Sequence, residues 1–400
     1  MSSQPQTTTP SPTQAVIDWI FGEGRRIEST NEFVHQLAHQ LNAVCITTDR
    51  LMVSLLTLNP QIVGTSETWL KSTDETIHYE AEHEVRATER YIGSPLAAIY
   101  ETNKRVRQRL DHLPENAHLA YTELAEQGYT DYLALPVLFG EVAQPGAAII
   151  ICTRKEGSFD DREIGHFRQL RDYLAPVLEV HSLRHLSRSL MNTYVGKRTG
   201  EKVLSGMIRR GDADVVNAAL WFSDLRNFTH LTETLTTEQV LELLNQYFEL
   251  VAAAVTARGG EILRFIGDAM LIVFPIDDNM CQQTACNAAI EAAIDAQRTL
   301  LNLNHRRHKH DQPPIEFGVG LNIGEVVYGN VGAPDRLDFT VMGPVVNRTA
   351  RLESLTKELG CNILFSQNFA ELIETPSEFL GQHEMKGIAE PQAVYALCQV

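Results

Sequence analysis

Two acids in the C-terminal half, Asp224 and Asp268, stand where a sheet could bring carboxylates together. Asp224 closes the apolar run AALWFSDL, which reads as a buried strand, and Asp268 follows Gly267 between two apolar runs that read as a tight hairpin. If those strands are neighbours, both carboxylates reach one edge. Hard divalent ions such as Mg²⁺ select carboxylate and phosphate oxygens, and two ions about 4 Å apart stabilise the attacking and leaving oxygens of an in-line phosphoryl displacement. An arbitrary pair of strand-end aspartates is more often a pair of turn formers or solvated charges, so the pair alone decides nothing.

The elements that must position these acids alternate between strand and helix. From Asp214 a strand leads to Asp224, and Thr236 with Gln239 makes a capping box that opens a helix carrying Val240, Leu243, Leu244, Tyr247, Val251 and Val255 on one face. Gly259 and Gly260 stop it. Glu261 to Phe265 and Ala269 to Phe274 then read as strands with Asp268 at their tip, and a helix from Cys281 to Leu303 leads to strands at Ile315 to Ile323 and Glu325 to Val331. An antiparallel sheet with helices on one face, an α+β fold, is the natural arrangement.

The N-terminal half has its own pattern. The opening MSSQPQTTTPSPTQ lacks the basic start and apolar stretch of a signal peptide, so residues 1–14 are expected to form a disordered tail. Ser29 and Glu32 make a capping box for a helix through Val34, Leu37, Ala38 and Leu41, and Leu51 to Leu58, Leu133 to Phe139 and Ala147 to Thr153 read as strands. A long helix follows Asp160 and Asp161, with Ile164, Phe167, Leu170, Leu174 and Val177 on one face and Leu183, Leu186 and Leu190 continuing it as a connector.

Composition narrows the function. The chain of 400 residues, 44% hydrophobic and 21% charged, can bury two domains. A formal net charge of −17, with no basic stripe interleaved with aromatics, argues against a nucleic-acid partner. Six scattered cysteines without a CxxC pair fit a reducing cytoplasm, and Cys45 and Cys152 are expected as buried structural thiols. No apolar run approaches the ~20 uncharged residues of a membrane helix, so no membrane partner is expected.

Four segments in order, FSDLRNFT, GGEILRFIGDAMLIVF, DFTVMGPVVNRTARLES and MKGIAEPQAVYAL, resemble the class III nucleotide cyclases over about half the chain, from Ala213 onward. The resemblance implies a ferredoxin-like catalytic domain at residues 214–400, working as a homodimer with composite sites. It assigns Asp224, Asp268 and the carbonyl of Leu225 to two ions of Mg²⁺ or Mn²⁺, and Asn227, Phe228 and Thr229 to the triphosphate. Asn347 would orient the ribose and Arg351 would meet charge developing on the α-phosphate; four residues apart on a helix, they share a face. Lys386 would hold the terminal phosphates, with Arg336 a weaker candidate. Arg264 and Thr340 would read the purine. A cationic donor at Arg264 serves adenine N1 and Thr340 accepts from the 6-amino group, which favours ATP, although a guanidinium also suits guanine O6.

Residues 128–180 resemble the closing half of GAF sensory domains. This implies a GAF-like α/β sensor at residues 15–180 with an unknown small ligand, and a connecting helix and transducer linker at 181–213. The cyclic-nucleotide GAF signature NKxFxxxDE is not matched, since only Phe159 and Glu163 keep its spacing. The rival from another class is a signalling module that binds nucleotide without turning it over. Two further segments receive no role: GKRTGEK from Gly196 breaks the phosphate-loop spacing, and HRRHKHD from His305 reads as a solvated loop between a helix and a strand.

Overall fold

The computed structural model describes residues 11–140, 144–277 and 280–397, in two compact units, residues 1–193 and 194–400. Residues 1–10 of the expected tail lie outside the described residues, but its end is ordered as helix: Ser11 caps and Pro12 opens α1 (Pro12–Phe21). Proline suits a first helical position, where its missing N–H would have no partner, and its neighbours Val16, Ile17 and Ile20 are buried.

The first unit continues with α2 (Thr30–Ala43), β1 (Arg50–Leu56), β2 (Ile62–Leu70), β3 (Glu75–Glu82), α3 (Pro95–Thr102), β4 (Val106–Arg109), α4 (Leu119–Glu126), β5 (Asp131–Val137), β6 (Ala147–Thr153) and α5 (Asp161–Val195). Its strands form one antiparallel sheet in the order β3-β2-β1-β6-β5-β4. Period-two alternation sorts β1: Leu51, Val53 and Leu55 pack with α1, α2 and α5, whereas Met52 lies with α3 and α4 on the opposite face. Cys152 is buried as expected, but Cys45 is exposed. It sits at φ +62° in the turn after α2, past the last buried residue of that helix, so no apolar face claims it.

The second unit contains α6 (Lys197–Leu204), β7 (Ala213–Leu225), α7 (Phe228–Thr234), α8 (Thr237–Thr256), β8 (Glu261–Ile266), β9 (Ala269–Pro275), α9 (Gln282–Lys309), β10 (Phe317–Ala333), β11 (Arg336–Met342), α10 (Pro344–Leu359), β12 (Ile363–Ser366), α11 (Gln367–Ala370), β13 (Ser377–His383) and β14 (Gln392–Leu397). Strand, helix, hairpin, helix, strand from β7 to β10, with the order β10-β7-β9-β8, is a ferredoxin-like arrangement. The predicted capping box at Thr236 and Gln239 is formed.

Helices cover both faces of this sheet, not one. α8 and α9 bury Trp221, Phe274 and Phe317 on the first. α10 lies on the other because Gly318 and Gly320 leave β10 without side chains there. A Cβ at Gly320 would stand 2.4 Å from Thr349 O and 2.5 Å from Glu353 N, so the helix rests on strand backbone. The predicted loop at His305 is also helix: α9 runs on to Lys309, because Arg307 is buried and its guanidinium donates to Pro313 O at 2.8 Å and Gln246 Oε1 at 2.6 Å. The two strands predicted on either side of Gly324 are one strand, β10.

Candidate active site

β7 and β9 are neighbours, with Ser223 opposite Met270, so Asp224 at the end of β7 and Asp268 at the tip of the β8–β9 hairpin stand at adjoining strand ends. Gly267, at φ +64°, makes the tip turn that a side chain would strain. The two carboxylates feel each other: burial first, then the charge of Asp224, pushes Asp268 up to about 6. Two acids that resist joint ionisation, presented with only oxygen donors, fit a hard divalent cation.

Sequence reasoning missed the groups around this pair. Lys357 Nζ lies 3.6 Å from Asp224 Oδ2. One helical turn earlier, Glu353 is buried, its Oε1 has no hydrogen-bond partner, and burial followed by the charge of Asp224 pushes it up to about 7. Arg226, two residues after Asp224, donates to Thr356 O at 3.4 Å and Cys361 O at 3.1 Å. A guanidinium on a carbonyl of the last turn of α10, and on that of Cys361 just past its end, complements the helix dipole and ties this helix to the strand end bearing Asp224. Beneath, Tyr247 donates to Ser223 Oγ at 3.0 Å, and burial raises its phenol far above the ordinary value. The one readable signal was the i, i+4 spacing of Glu353 and Lys357 within the motif that supplied Asn347 and Arg351.

Leu225 is buried behind Asp224. Phe228 and Thr229 form the first turn of α7, after Asn227 at φ +59°, which makes no side-chain cap. Asn347 and Arg351 share the exposed face of α10, opposite Thr349, Leu352, Glu353 and Thr356, and among the described residues neither side chain has a hydrogen-bond or ion-pair partner. Arg264 on β8 is exposed and paired with Asp338 on β11. Two residues along the same strand, Thr340 shares the face of Asp338, while Phe339 and Val341 are buried on the other. Arg336 is exposed at the start of β11, and Lys386 is exposed in the turn after β13. No hydrogen bond or ion pair among the described residues joins Asn347, Arg351, Arg264, Thr340, Arg336 or Lys386 to the aspartate pair. The chain therefore presents two separate sets of candidate residues.

A ferredoxin-like domain with a carboxylate pair at one sheet edge is the class that this fold and site define. Residues 213–399 match the family described as the adenylate and guanylate cyclase catalytic domain. The adenylate cyclase of Anabaena cylindrica is 35% identical over 176 residues, which cover 43% of this chain and 34% of that protein. The terminal-differentiation-specific adenylate cyclase of Dictyostelium discoideum is 37% identical over 173 residues, covering 43% and 8%. The chain thus spans about a third or less of the length of these relatives. Among solved structures, the adenylyl cyclase CyaB from P. aeruginosa is 29% identical, with a TM-score of 0.43, over 47% of this chain and 96% of that one.

Proposed function

We propose that the second unit converts ATP to 3′,5′-cyclic AMP and pyrophosphate at sites shared between two copies of the chain. The observation that carries this reading is the placing of Asp224 and Asp268 at adjoining strand ends, where burial and the charge of Asp224 raise Asp268, within a segment that matches the cyclase family. Asp224, Asp268 and the carbonyl of Leu225 would hold two Mg²⁺ or Mn²⁺ ions. When bound, such ions neutralise triphosphate charge and lower the pKa of the attacking hydroxyl.

The 3′ oxygen of the ribose forms a new bond to the α-phosphorus, the bond to the β-phosphate oxygen breaks, and the hydroxyl proton leaves to water. Backbone N–H groups in the first turn of α7, at Phe228 and Thr229, take phosphate oxygens, as the uncapped turn allows. The second set of residues, which among the described residues makes no hydrogen bond or ion pair with the aspartates of its own chain, serves the partner's nucleotide. Asn347 orients the ribose, Arg351 offsets charge on the α-phosphate, Lys386 and Arg336 take the terminal phosphates, and Arg264 with Thr340 reads the base. Exposed Phe265 and Ile266 beside Arg264 support a homodimer.

Residues 15–180 serve as the sensor and 181–213 as the transducer linker. The antiparallel sheet with helices on both faces supports a GAF-like reading whose ligand is a small molecule. Among the described residues no helix is long and apolar enough to cross a membrane. Buried, unpaired thiols at Cys152 and Cys286 support a cytoplasmic location.

The test is product identity. The purified chain is incubated with Mn²⁺ or Mg²⁺ and either ATP or GTP, with Asp268→Ala as control. Cyclic AMP from ATP, absent in the control, is the expected result; cyclic GMP instead makes Arg264 a guanine reader, and silence with all four combinations favours a module that binds without turnover.

A further inference from the structure

The first unit holds a second constellation of ligand atoms, unrelated to the cyclase site. His35 and His39 lie one helical turn apart on α2, which places both imidazoles on one face. Asp74 comes from a different element, the turn between β2 and β3, where it sits at φ +55°. Aspartate is among the few residues that tolerate this left-handed conformation. His39 Nε2 lies 2.8 Å from Asp74 Oδ1 and His35 Nε2 lies 4.0 Å from the same oxygen. One ligand atom from each of the three residues falls within 4.8 Å of the others.

The surroundings orient these groups. Trp69 donates its indole N–H to Asp74 Oδ1 at 3.0 Å, and the Trp69 ring, itself buried, meets the His39 ring edge-on at 5.8 Å between centroids. Thr76 Oγ1 lies 3.4 Å from His35 Nδ1, so the outer nitrogen of that ring engages the protein while Nε2 turns to Asp74. Fixing one imidazole nitrogen through a hydrogen bond leaves the other as the ligand, the usual arrangement around protein-bound metals. Bonds of about 2.0–2.1 Å to a tetrahedral ion set ligand atoms about 3.3 Å apart, inside the range spanned here, so small side-chain rotations close the set.

We propose that His35, His39 and Asp74 form a binding site for a divalent transition metal ion such as Zn²⁺, completed by water on its exposed side. Two imidazoles and one carboxylate select this class over Mg²⁺, which takes oxygen ligands. The side chains of His39 and Asp74 are half exposed, at 50% and 57%, which leaves room for one or more water ligands. Occupancy joins α2 to the β2–β3 turn within the first unit, and binding the folded state alone stabilises it by mass action.

The experiment is a Zn²⁺ titration of the full chain by calorimetry, repeated with Co²⁺ to read coordination from visible absorption. Three variants accompany it: His35→Ala, His39→Gln, and Asp74→Asn, the last of which keeps an acceptor for Trp69 and tolerates the left-handed turn. A control replaces His305, His308 and His310, the other histidine-rich segment, with alanine. Expected is one equivalent that survives in the control and binds at least about tenfold more weakly in each variant, since even outer partners of metal ligands contribute that much. Thermal melts without metal verify that the variants fold, and the Zn²⁺-induced rise in melting temperature is expected to disappear with the site. Binding that is unchanged in all three variants, or lost only in the control, overturns the proposal.

Discussion

Arg264 Nη1 lies 2.5 Å from Asp338 Oδ2, an ion pair that joins the hairpin bearing Asp268 at its tip to the strand bearing Thr340. Both side chains are nearly half exposed, so the pair contributes at most about 1 kcal/mol to stability. Its value lies in aim, since a guanidinium held by a carboxylate presents its remaining N–H groups in one direction.

Asp338→Asn is therefore expected to leave the melting temperature within about 4 °C of the parent. We expect kcat/KM for ATP to fall about tenfold or more, equivalent to about 1.4 kcal/mol of transition-state binding. Parallel measurement with GTP decides the interpretation. A change in the ATP to GTP ratio marks the pair as part of base reading, and an equal fall in both removes it from that role.

The acid pair predicts a pH dependence with a definite sign. Asp268 titrates at about 6 in the folded chain against an ordinary 3.8, so its contribution to stability is complete below about 3.8 and is lost as pH rises through about 6. Glu353, at about 7 against 4.5, extends the same trend upward. Without divalent ions, Asp268→Asn and Glu353→Gln are each expected to gain stability relative to the parent between pH 5 and pH 8, on the order of a pH unit above and below these values. Urea midpoints across that range check it. Asp268→Asn is expected to abolish turnover all the same, and Mn²⁺ affinity of the parent is expected to weaken below about pH 6, where a proton competes for Asp268.

Gly320→Ala tests the seat of α10. The added Cβ meets backbone on two sides, which cannot yield as a flexible side chain would, and overpacking of this kind costs about 1–3 kcal/mol. Because α10 carries Glu353 and Lys357 toward Asp224 and presents Asn347 and Arg351 to solvent, displacing it disturbs both candidate sets. We expect a lower melting temperature and a loss of activity larger than temperature-matched unfolding explains. Gly360→Ala, where the helix ends at φ +66° and a Cβ meets nothing, is expected to cost stability without that excess loss.

If the two sets serve one nucleotide, as proposed, a working site needs two chains. Asp224→Ala and Arg351→Ala should each be inactive alone. Mixed and allowed to exchange subunits at random, they are expected to recover up to about a quarter of parental activity, because about half of the dimers are then mixed and each of these has one of its two sites intact. Mixed dimers confirmed by differential tags yet devoid of activity would sink the shared site.

The elements from β7 to β10 were legible because they carry local signals: the capping box at Thr236 and Gln239, the glycine tip beside Asp268, and the apolar face of α8. Asp224 and Asp268 were legible as strand-end acids. The cover on the second face of the sheet was not, because it depends on what Gly318 and Gly320 lack rather than on any apolar pattern, and α10 buries Thr349, Glu353 and Thr356 there. Glu353 and Lys357 escaped for the same reason: a buried acid on a polar helix looks solvated until the strand beneath it is known. The strands β2, β3 and β4 were missed because their sequences mix polar residues such as Ser66, Glu67, His78 and Gln108 into the pleat, and Glu67 is buried only through its partners Asn31 and His78. His305 to Lys309 read as a loop by charge, while tertiary hydrogen bonds to Arg307 hold it in helix.

β10 belongs to two mechanical regimes at once. Val319 to Leu321 lie between β7 and β12 under α10, whereas Val331 to Ala333 pair among the described strands with β11 alone. Amide hydrogens along this one strand should therefore exchange with solvent at rates separated by orders of magnitude, slow at Val319 through global opening and fast at Val331 through fraying. The same continuous backbone thus anchors Asp224's neighbour Gly318 in the rigid centre and leaves the arm with Asp338 and Thr340 compliant, so under the proposed function a nucleotide would adjust the end assigned to the base without loosening the end assigned to the metal.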